Sequence, residues 1–170
     1  GIHALPRGAD PGVLVHELFE QCAQLGFQTI HTQPELGQNL IAKLFKHARW
    51  DNHRDTLQQY LQHWLSLPLL ASSPVSLASL PADQYQAEME FLLGADQVDV
   101  QRIDQLVCRH CFADLARPRL QPKQINGLLK GFIDLVFMHE GRYFVLDYKF
   151  NALGNHDDSY QPDTIQRAML

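Results

Sequence analysis

Apolar residues recur at helical spacing through the first third of the chain, and the first such pattern covers residues 13–25. Its apolar face is formed by Leu14, Val15, Leu18, Phe19, Cys22 and Leu25. We expect an amphipathic helix with Asp10 as N-cap, Pro11 at the first helical position and an end near Gly26. His16 falls at the margin of the apolar face, where a residue that lines a site would lie.

The rest of the pattern predicts further helices and a sheet. Helices are expected at residues 35–50, 53–67, 98–116 and 161–170. Residues 71–81 are rich in Ser and Pro, which is typical of a loop. Residues 85–93 alternate as a strand does, which would place Glu88 and Glu90 on one face.

Residues 127–151 form the most informative pattern, because two apolar, β-branched and aromatic runs flank a short Gly-containing turn. That arrangement predicts a β-hairpin. If Glu140 and Gly141 form a two-residue turn, the paired positions sum to 281. A three-residue turn would shift the register by one residue and put Asp134 and Asp147 on opposite faces of the hairpin.

The two-residue register would place Asp134 directly opposite Asp147, with Lys149 on the same face as Asp147. Opposed carboxylates repel by roughly 3 kcal/mol at an effective dielectric of about 20. A chain keeps such a pair comfortably when a cation lies between the carboxylates or one of them is protonated. The pattern therefore indicates a divalent-metal site for cutting phosphodiesters. The alternative is that the aspartates form surface salt bridges or turn caps, with Lys149 pairing one of them.

Composition and length fit one domain with a real core, since the chain has 170 residues and 45% hydrophobic content. It has no apolar run of 18 residues and no signal-peptide pattern, so we expect no membrane association and a cytoplasmic location. Its three Cys argue against a disulfide framework.

Charge is unevenly distributed along the chain, whose net value is −5. Residues 101–130 contain six basic and two acidic residues, a local balance of +4. The expected DNA contacts in this stretch are Arg117, Arg119, Lys123 and Lys130. Such a basic stretch can guide a phosphate backbone, although a solvated face without a ligand is an equal alternative for any single residue.

Two functional motifs are only partly present, and a third is absent. His16-Glu17 begins a zinc-protease pattern, but Glu20 stands where the second His is needed. Cys108 and Cys111 have the CxxC spacing without a second pair. The chain also lacks a P-loop, so it does not by itself hydrolyse ATP.

Several segments together resemble the nuclease domains of RecB-type helicase–nucleases, within the restriction-endonuclease-like PD-(D/E)xK superfamily. The resembling segments are GLLKGFIDLVF at 127–137, EGRY at 140–143, LDYK at 146–149, EMEF at 88–91, PRGA at 6–9, PG at 11–12 and the helix from His16 to Glu20. The core of Asp134, Asp147 and Lys149 alone would be a weak signal, whereas the N-terminal, middle and hairpin segments in this order are specific.

The resemblance implies an α/β (α+β) fold, with a restriction-endonuclease-like core in which a central mixed sheet is flanked by helices behind an N-terminal helical region. It also implies roles for six residues. Asp134, Asp147 and His16 would bind Mg²⁺, with the main-chain carbonyl of Tyr148, while Lys149 would be the catalytic lysine. Glu88 would be the upstream acid, with Glu90 as its substitute. Mn²⁺ or Ca²⁺ would be tolerated in place of Mg²⁺.

The function implied is a Mg²⁺-dependent deoxyribonuclease of the exonuclease V type, which hydrolyses DNA unwound by a partner helicase during double-strand break repair. Its partners would be DNA, expected to be single-stranded, the other subunits of a helicase–nuclease complex, and a recombinase. Two alternatives remain open. One is a non-catalytic docking module for a recombinase, and the other is a stand-alone resolvase or restriction-type endonuclease.

We expect residues 1–170 to be a single nuclease domain excised from a larger helicase–nuclease. The family carries a Gln and Tyr motif on the helix after the hairpin, and no such spacing occurs before Leu170. We therefore expect that helix to be truncated, which puts the activity of the fragment itself in question.

Overall fold

Helices precede most of the sheet in the order of the chain, as the computed structural model shows. It describes residues 5–6, 9–110, 119–150, 153–154 and 156–168. The helices and strands are α1 (Ala9–Leu25), α2 (Phe27–Thr32), α3 (Pro34–Leu44), α4 (Arg54–Ser66), β1 (Tyr85–Asp99), α5 (Val100–His110), β2 (Gln124–His139), β3 (Arg142–Leu146) and α6 (Pro162–Ala168). The sheet has the order β1-β2-β3, and β2 and β3 are antiparallel. The predicted fold class is confirmed.

The chain divides into two compact units. Unit 1 contains residues Gly1–Met89 and Ile133–Gln161, and unit 2 contains Glu90–Phe132 and Pro162–Leu170. Both β1 and β2 contribute residues to each unit.

The core of unit 1 lies among its helices and the inner face of the hairpin. Val15, Leu18, Phe19 and Cys22 are buried on α1, as the helical pattern predicts. Leu25 is 50% exposed, so its placement on the buried face was wrong. The core is completed mainly by Phe27, Ile30, Ile41, Phe45, Trp50, Leu57, Leu61, Leu65, Leu135 and Phe137. Burial raises the pKa of the Cys22 thiol to about 12, which keeps it protonated.

The start of α1 differs from the prediction, because Asp10 lies in the first turn and is not the N-cap. Its carboxylate is nevertheless well placed there, since negative charge is favourable at a helix N-terminus. The end of α1 before Gly26 is confirmed, and Gly26 adopts a φ of 95° that favours glycine.

The helix expected at residues 35–50 is shorter, and α2 was not predicted. Helix α3 ends at Leu44, and a separate 3₁₀ turn covers Ala48–Trp50. A side chain stabilises the chain where α3 ends. The guanidinium of Arg54 donates from two nitrogens to the carbonyl of Phe45, at 3.1 and 2.9 Å. A side chain therefore satisfies an orphan acceptor at the end of α3. The helix expected at 53–67 is confirmed as α4.

Strand β1 is longer than expected and is irregular at two positions. Glu88 has a φ of 47°, in the left-handed region, and Gln97 has a φ of 48°. A left-handed residue within a strand interrupts strict alternation, as a β-bulge does. Alternation therefore cannot be used to place Glu88 and Glu90 on one face of β1, as the sequence pattern predicted.

Unit 2 contains α5, α6, the second half of β1 and the first half of β2. The carboxylate of Asp104 on α5 is buried and accepts from the Leu120 amide at 3.4 Å. Gly131 is needed for packing, since a Cβ there would clash with the ring of Phe91. The helix expected at 98–116 is described only as α5, because residues 111–118 lie outside the described residues.

In the part of the chain that the structure describes, every helix is too short or too polar to cross a bilayer.

Candidate metal centre

The β2–β3 hairpin has the register that the sequence predicts. His139 pairs with Arg142, and the ladder continues to Leu135 opposite Leu146. Glu140 and Gly141 have φ angles of 49° and 73°, and positive φ at both central residues is what a type I′ turn requires. Each pair sums to 281, so the two-residue turn is confirmed.

Strand β3 ends at Leu146, one residue before the predicted Asp147 pair. The amide of Tyr148 donates to Oδ2 of Asp134 at 2.6 Å. The Tyr148 amide therefore donates to a side chain. In a continuing strand it would donate to a main-chain carbonyl of β2. Residues 147–149 are not in a strand, so the predicted pair of Asp134 with Asp147 is not part of the ladder.

Asp134 joins the hairpin to α1. Its Oδ2 lies 3.5 Å from Nδ1 of His16, and its side chain is only 14% exposed, against 34% for His16. The resemblance brings these two residues together as metal ligands, and the structure places them side by side. Two ligand atoms, each about 2.1 Å from one ion and about 90–110° apart, are separated by roughly 3.0–3.4 Å. The observed 3.5 Å lies just above this interval, so the imidazole nitrogen and carboxylate oxygen are of the right chemical type, and their separation is slightly longer than a shared ion requires.

Tyr148 packs its ring against two residues of α1. The ring stacks on Phe19, with centroids 4.5 Å apart and planes at 20°, and meets the edge of His16 at 5.9 Å and 79°. Its hydroxyl is buried and has no hydrogen-bond partner within the described residues. Burial is the main reason that the pKa of this phenol lies above its ordinary value, and the nearby Asp134 adds to the shift.

Asp147 and Lys149 form an ion pair, with Nζ and Oδ2 2.7 Å apart and both side chains 51% exposed. The hydrogen bond that the ammonium of Lys149 donates to Asp147 raises the pKa of Lys149, so the ammonium stays charged at neutral pH. This contact is the one expected under the salt-bridge alternative. Among the described residues, no three His, Cys, Asp or Glu side chains form a group that could hold a metal ion.

The pKa of Glu88 depends on the charges of neighbouring residues of the candidate site. Its pKa is raised first by burial and then by the charges of Asp134 and Glu20, while His16 lowers it. A raised pKa makes this carboxyl a better proton acceptor than an ordinary glutamate. Glu90 belongs to unit 2, where its carboxylate pairs with Lys130 at 2.7 Å.

Two contributions were missed by the sequence reasoning. Phe19 was assigned only to the core, yet it is also the platform for the Tyr148 ring. Glu20 was noted only as the residue that breaks a zinc-protease pattern, yet its charge raises the pKa of Glu88. One signal was available, because Phe19 and Glu20 follow His16 at the helical spacings of three and four.

Three of the four predicted DNA contacts are described, and they lie in unit 2. Arg119 and Lys123 are exposed, and Lys130 is half-exposed with its ammonium 5.4 Å from the centroid of the Phe132 ring. Arg117 lies outside the described residues. A role in DNA binding stays a prediction for all four.

Comparison with known proteins places nearly all of the chain in one family. The sequence profile of the PD-(D/E)XK nuclease superfamily matches residues 2–167. The RecBCD enzyme subunit RecB of Escherichia coli (strain K12) is 36% identical over 171 residues, which cover 98% of this chain and 14% of that protein. The same subunit of Haemophilus influenzae is 31% identical over 98% of the chain and 13% of that protein. The Mycobacterium tuberculosis subunit is 28% identical over 98% of the chain and 17% of that protein. The chain therefore spans only a small part of the length of these relatives.

Proposed function

The chain belongs to the PD-(D/E)XK nuclease superfamily, and on that premise we propose that it hydrolyses phosphodiester bonds of DNA with a divalent cation as cofactor. One observation carries the proposal. An imidazole nitrogen and a carboxylate oxygen from separate elements lie 3.5 Å apart, at the positions that the family resemblance assigns to metal ligands.

The residues that would hold the cation are His16 and Asp134, with Asp147 and the main-chain carbonyl of Tyr148 as further ligands. Mg²⁺ suits this set, because it is commonly bound through one or two carboxylates and keeps several waters. Mn²⁺ or Ca²⁺ would also be accepted. When bound, such a cation polarises a phosphoryl oxygen and acidifies a coordinated water.

Lys149 contributes positive charge. Its raised pKa keeps it protonated at neutral pH, so it acts as an electrostatic stabiliser of the charge on the phosphate in the transition state and not as a base. Glu88 is the better candidate to accept a proton from the attacking water, because it is a carboxylate near enough to Asp134 and His16 to interact with both electrostatically. The net reaction adds water across the P–O bond, which breaks with its electron pair on the leaving oxygen.

The relatives are subunits of the RecBCD enzyme, and we therefore propose that the chain acts within a larger assembly. A partner helicase would supply single-stranded DNA during double-strand break repair in the cytoplasm, and other subunits and a recombinase would be its protein partners. Residues 1–170 would serve as the single nuclease domain of that assembly, and Arg117, Arg119, Lys123 and Lys130 would bind the DNA backbone.

The test is degradation of linear single-stranded DNA by wild type and by Asp147→Ala, with Mg²⁺ or with EDTA. We expect Mg²⁺-dependent cleavage by wild type, and a loss of about 100-fold or more in the variant, since several kcal/mol of transition-state stabilisation are removed. The fold should persist, because half-exposed ion pairs contribute only about 0–1 kcal/mol.

Asp83→Ala is the matched control, because Asp83 is an exposed aspartate in a 3₁₀ turn of the same unit. It should cleave as wild type does. Undiminished Mg²⁺-dependent degradation by folded Asp147→Ala would contradict the proposal. DNA-independent capture of a recombinase by a wild type that never cleaves would favour the docking module.

A further inference from the structure

Tyr148 contacts both of the residues that would hold the cation. Its main-chain amide donates to Oδ2 of Asp134 at 2.6 Å, and its ring forms a T-shaped contact with the His16 imidazole, with centroids 5.9 Å apart. A third contact fixes the ring itself, because its face stacks on Phe19 at 4.5 Å. One residue thus links the hairpin to α1 at the proposed site.

This link matters because His16 and Asp134 lie far apart in the sequence and on different elements. Each side chain has two rotatable bonds, so convergence of a nitrogen and an oxygen on one ion requires that both be held in place. The Tyr148 amide restrains the carboxylate, since a charge-assisted hydrogen bond is short and directional. The contact of the Tyr148 ring with His16 restrains the imidazole. The stacking of the same ring on Phe19 fixes the position of the Tyr148 amide.

We infer that the Tyr148 ring is a positioning residue of the metal centre, in addition to any ligand role of its carbonyl. The inference rests on the proposed function. The ring acts through its packing on Phe19, which sets where the backbone of residue 148 lies and hence where the Asp134 carboxylate points. Partners that orient metal ligands in this way typically govern metal affinity.

The hydroxyl takes no part in this role. It is buried and has no hydrogen-bond partner in the described residues, so it holds neither His16 nor Asp134. A phenylalanine ring keeps every contact through which Tyr148 positions the site. Tyr148→Phe and Tyr148→Leu therefore separate the ring from the hydroxyl.

The experiment measures Mn²⁺ affinity by titration calorimetry for wild type, Tyr148→Leu, Tyr148→Phe and Phe144→Leu. The last is a matched control, because Phe144 is an aromatic residue of the same hairpin whose ring stacks on Phe137 at 5.1 Å. We expect Tyr148→Leu to weaken Mn²⁺ binding by about 10- to 100-fold. Tyr148→Phe should restore most of the loss, and Phe144→Leu should bind Mn²⁺ as wild type does.

Two further readouts distinguish positioning from a general loss of structure. The KM for single-stranded DNA at saturating Mn²⁺ should stay within about twofold in Tyr148→Leu, because the ring packs on Phe19 and His16 and the inference assigns it no role in substrate binding. In metal-free wild type, the Tyr148 amide should exchange slowly with solvent, and Asp134→Ala should abolish that protection. The exchange measurement needs no Tyr148 variant, so it tests the link between the Tyr148 amide and the Asp134 carboxylate even if Tyr148→Leu does not fold.

The inference is overturned if folded Tyr148→Leu binds Mn²⁺ as tightly as wild type, if Phe144→Leu weakens binding equally, or if the wild-type amide exchanges freely. Failure of the proposed function gives a different result, because wild type itself would then neither bind Mn²⁺ nor cleave DNA.

Discussion

At the scale of single residues, the carboxylate of Asp147 has two competing partners. It pairs with Lys149 at 2.7 Å, and it is also an expected ligand of the cation. A carboxylate has two oxygens, so the one that Lys149 does not contact would remain for the cation. The ion pair thus brings together two groups that we propose to act in cleavage.

Lys149→Ala should lower turnover without weakening metal affinity. Removing the ammonium frees Asp147 for the cation, so Mn²⁺ should bind as tightly as in wild type or more tightly. Turnover should fall by about 100-fold or more, since one charge that stabilises the transition state is lost. Calorimetry and single-turnover cleavage at saturating metal check the two parts separately.

Lys46→Ala provides the comparison, because Lys46 is an exposed lysine of the same unit. It should match wild type in both measurements. Weaker Mn²⁺ binding by Lys149→Ala, with turnover unchanged, would mean that Lys149 helps to hold the metal and does not act in catalysis.

At the scale of elements, the turn of the hairpin sets the position of the site. Glu140 and Gly141 both have positive φ, and the register that follows brings Asp134 to the end of the ladder beside residues 147 and 148. A Cβ at Gly141 would meet nothing within 4 Å, so a larger residue there is opposed by backbone strain alone.

Two substitutions in this turn should change stability with opposite signs. Gly141→Ala should lower the free energy of unfolding by about 1 kcal/mol, because a side chain at positive φ is strained. Glu140→Asn should raise it by about 0.5 kcal/mol, since Asn tolerates the left-handed region better than Glu. Urea denaturation measures both. A loss of stability in Glu140→Asn, or none in Gly141→Ala, would contradict the type I′ geometry.

The hairpin also shows which elements the sequence could predict. A two-residue turn fixes the parity of every pair, so local residues were enough to derive the register. The end of β3 was beyond such reasoning, because the Tyr148 amide donates to a side chain that comes earlier in the sequence. The prediction for the faces of β1 failed for a different reason. The residue types indicate strict alternation, but a left-handed φ at Glu88 interrupts it.

At the scale of the whole molecule, the candidate site depends on contacts between distant parts of the chain. His16, Glu88, Asp134, Asp147, Tyr148 and Lys149 all belong to unit 1. No periodicity in the sequence connects α1 with the hairpin, and only the family resemblance placed His16 beside Asp134. The buried face of α1 could be predicted from its pattern, but the stacking of Phe19 on Tyr148 could not, because it depends on tertiary packing.

The central claim is that His16 and Asp134 together hold a divalent cation, and Mn²⁺ calorimetry of wild type against Asp134→Asn tests it most directly. The asparagine keeps an oxygen that can accept from the Tyr148 amide, so the change isolates the charge. We expect one Mn²⁺ site in wild type and a loss of affinity of about 10-fold or more in Asp134→Asn, with Asp83→Asn unaffected. No Mn²⁺ binding in wild type, or equal binding by folded Asp134→Asn, would contradict the account.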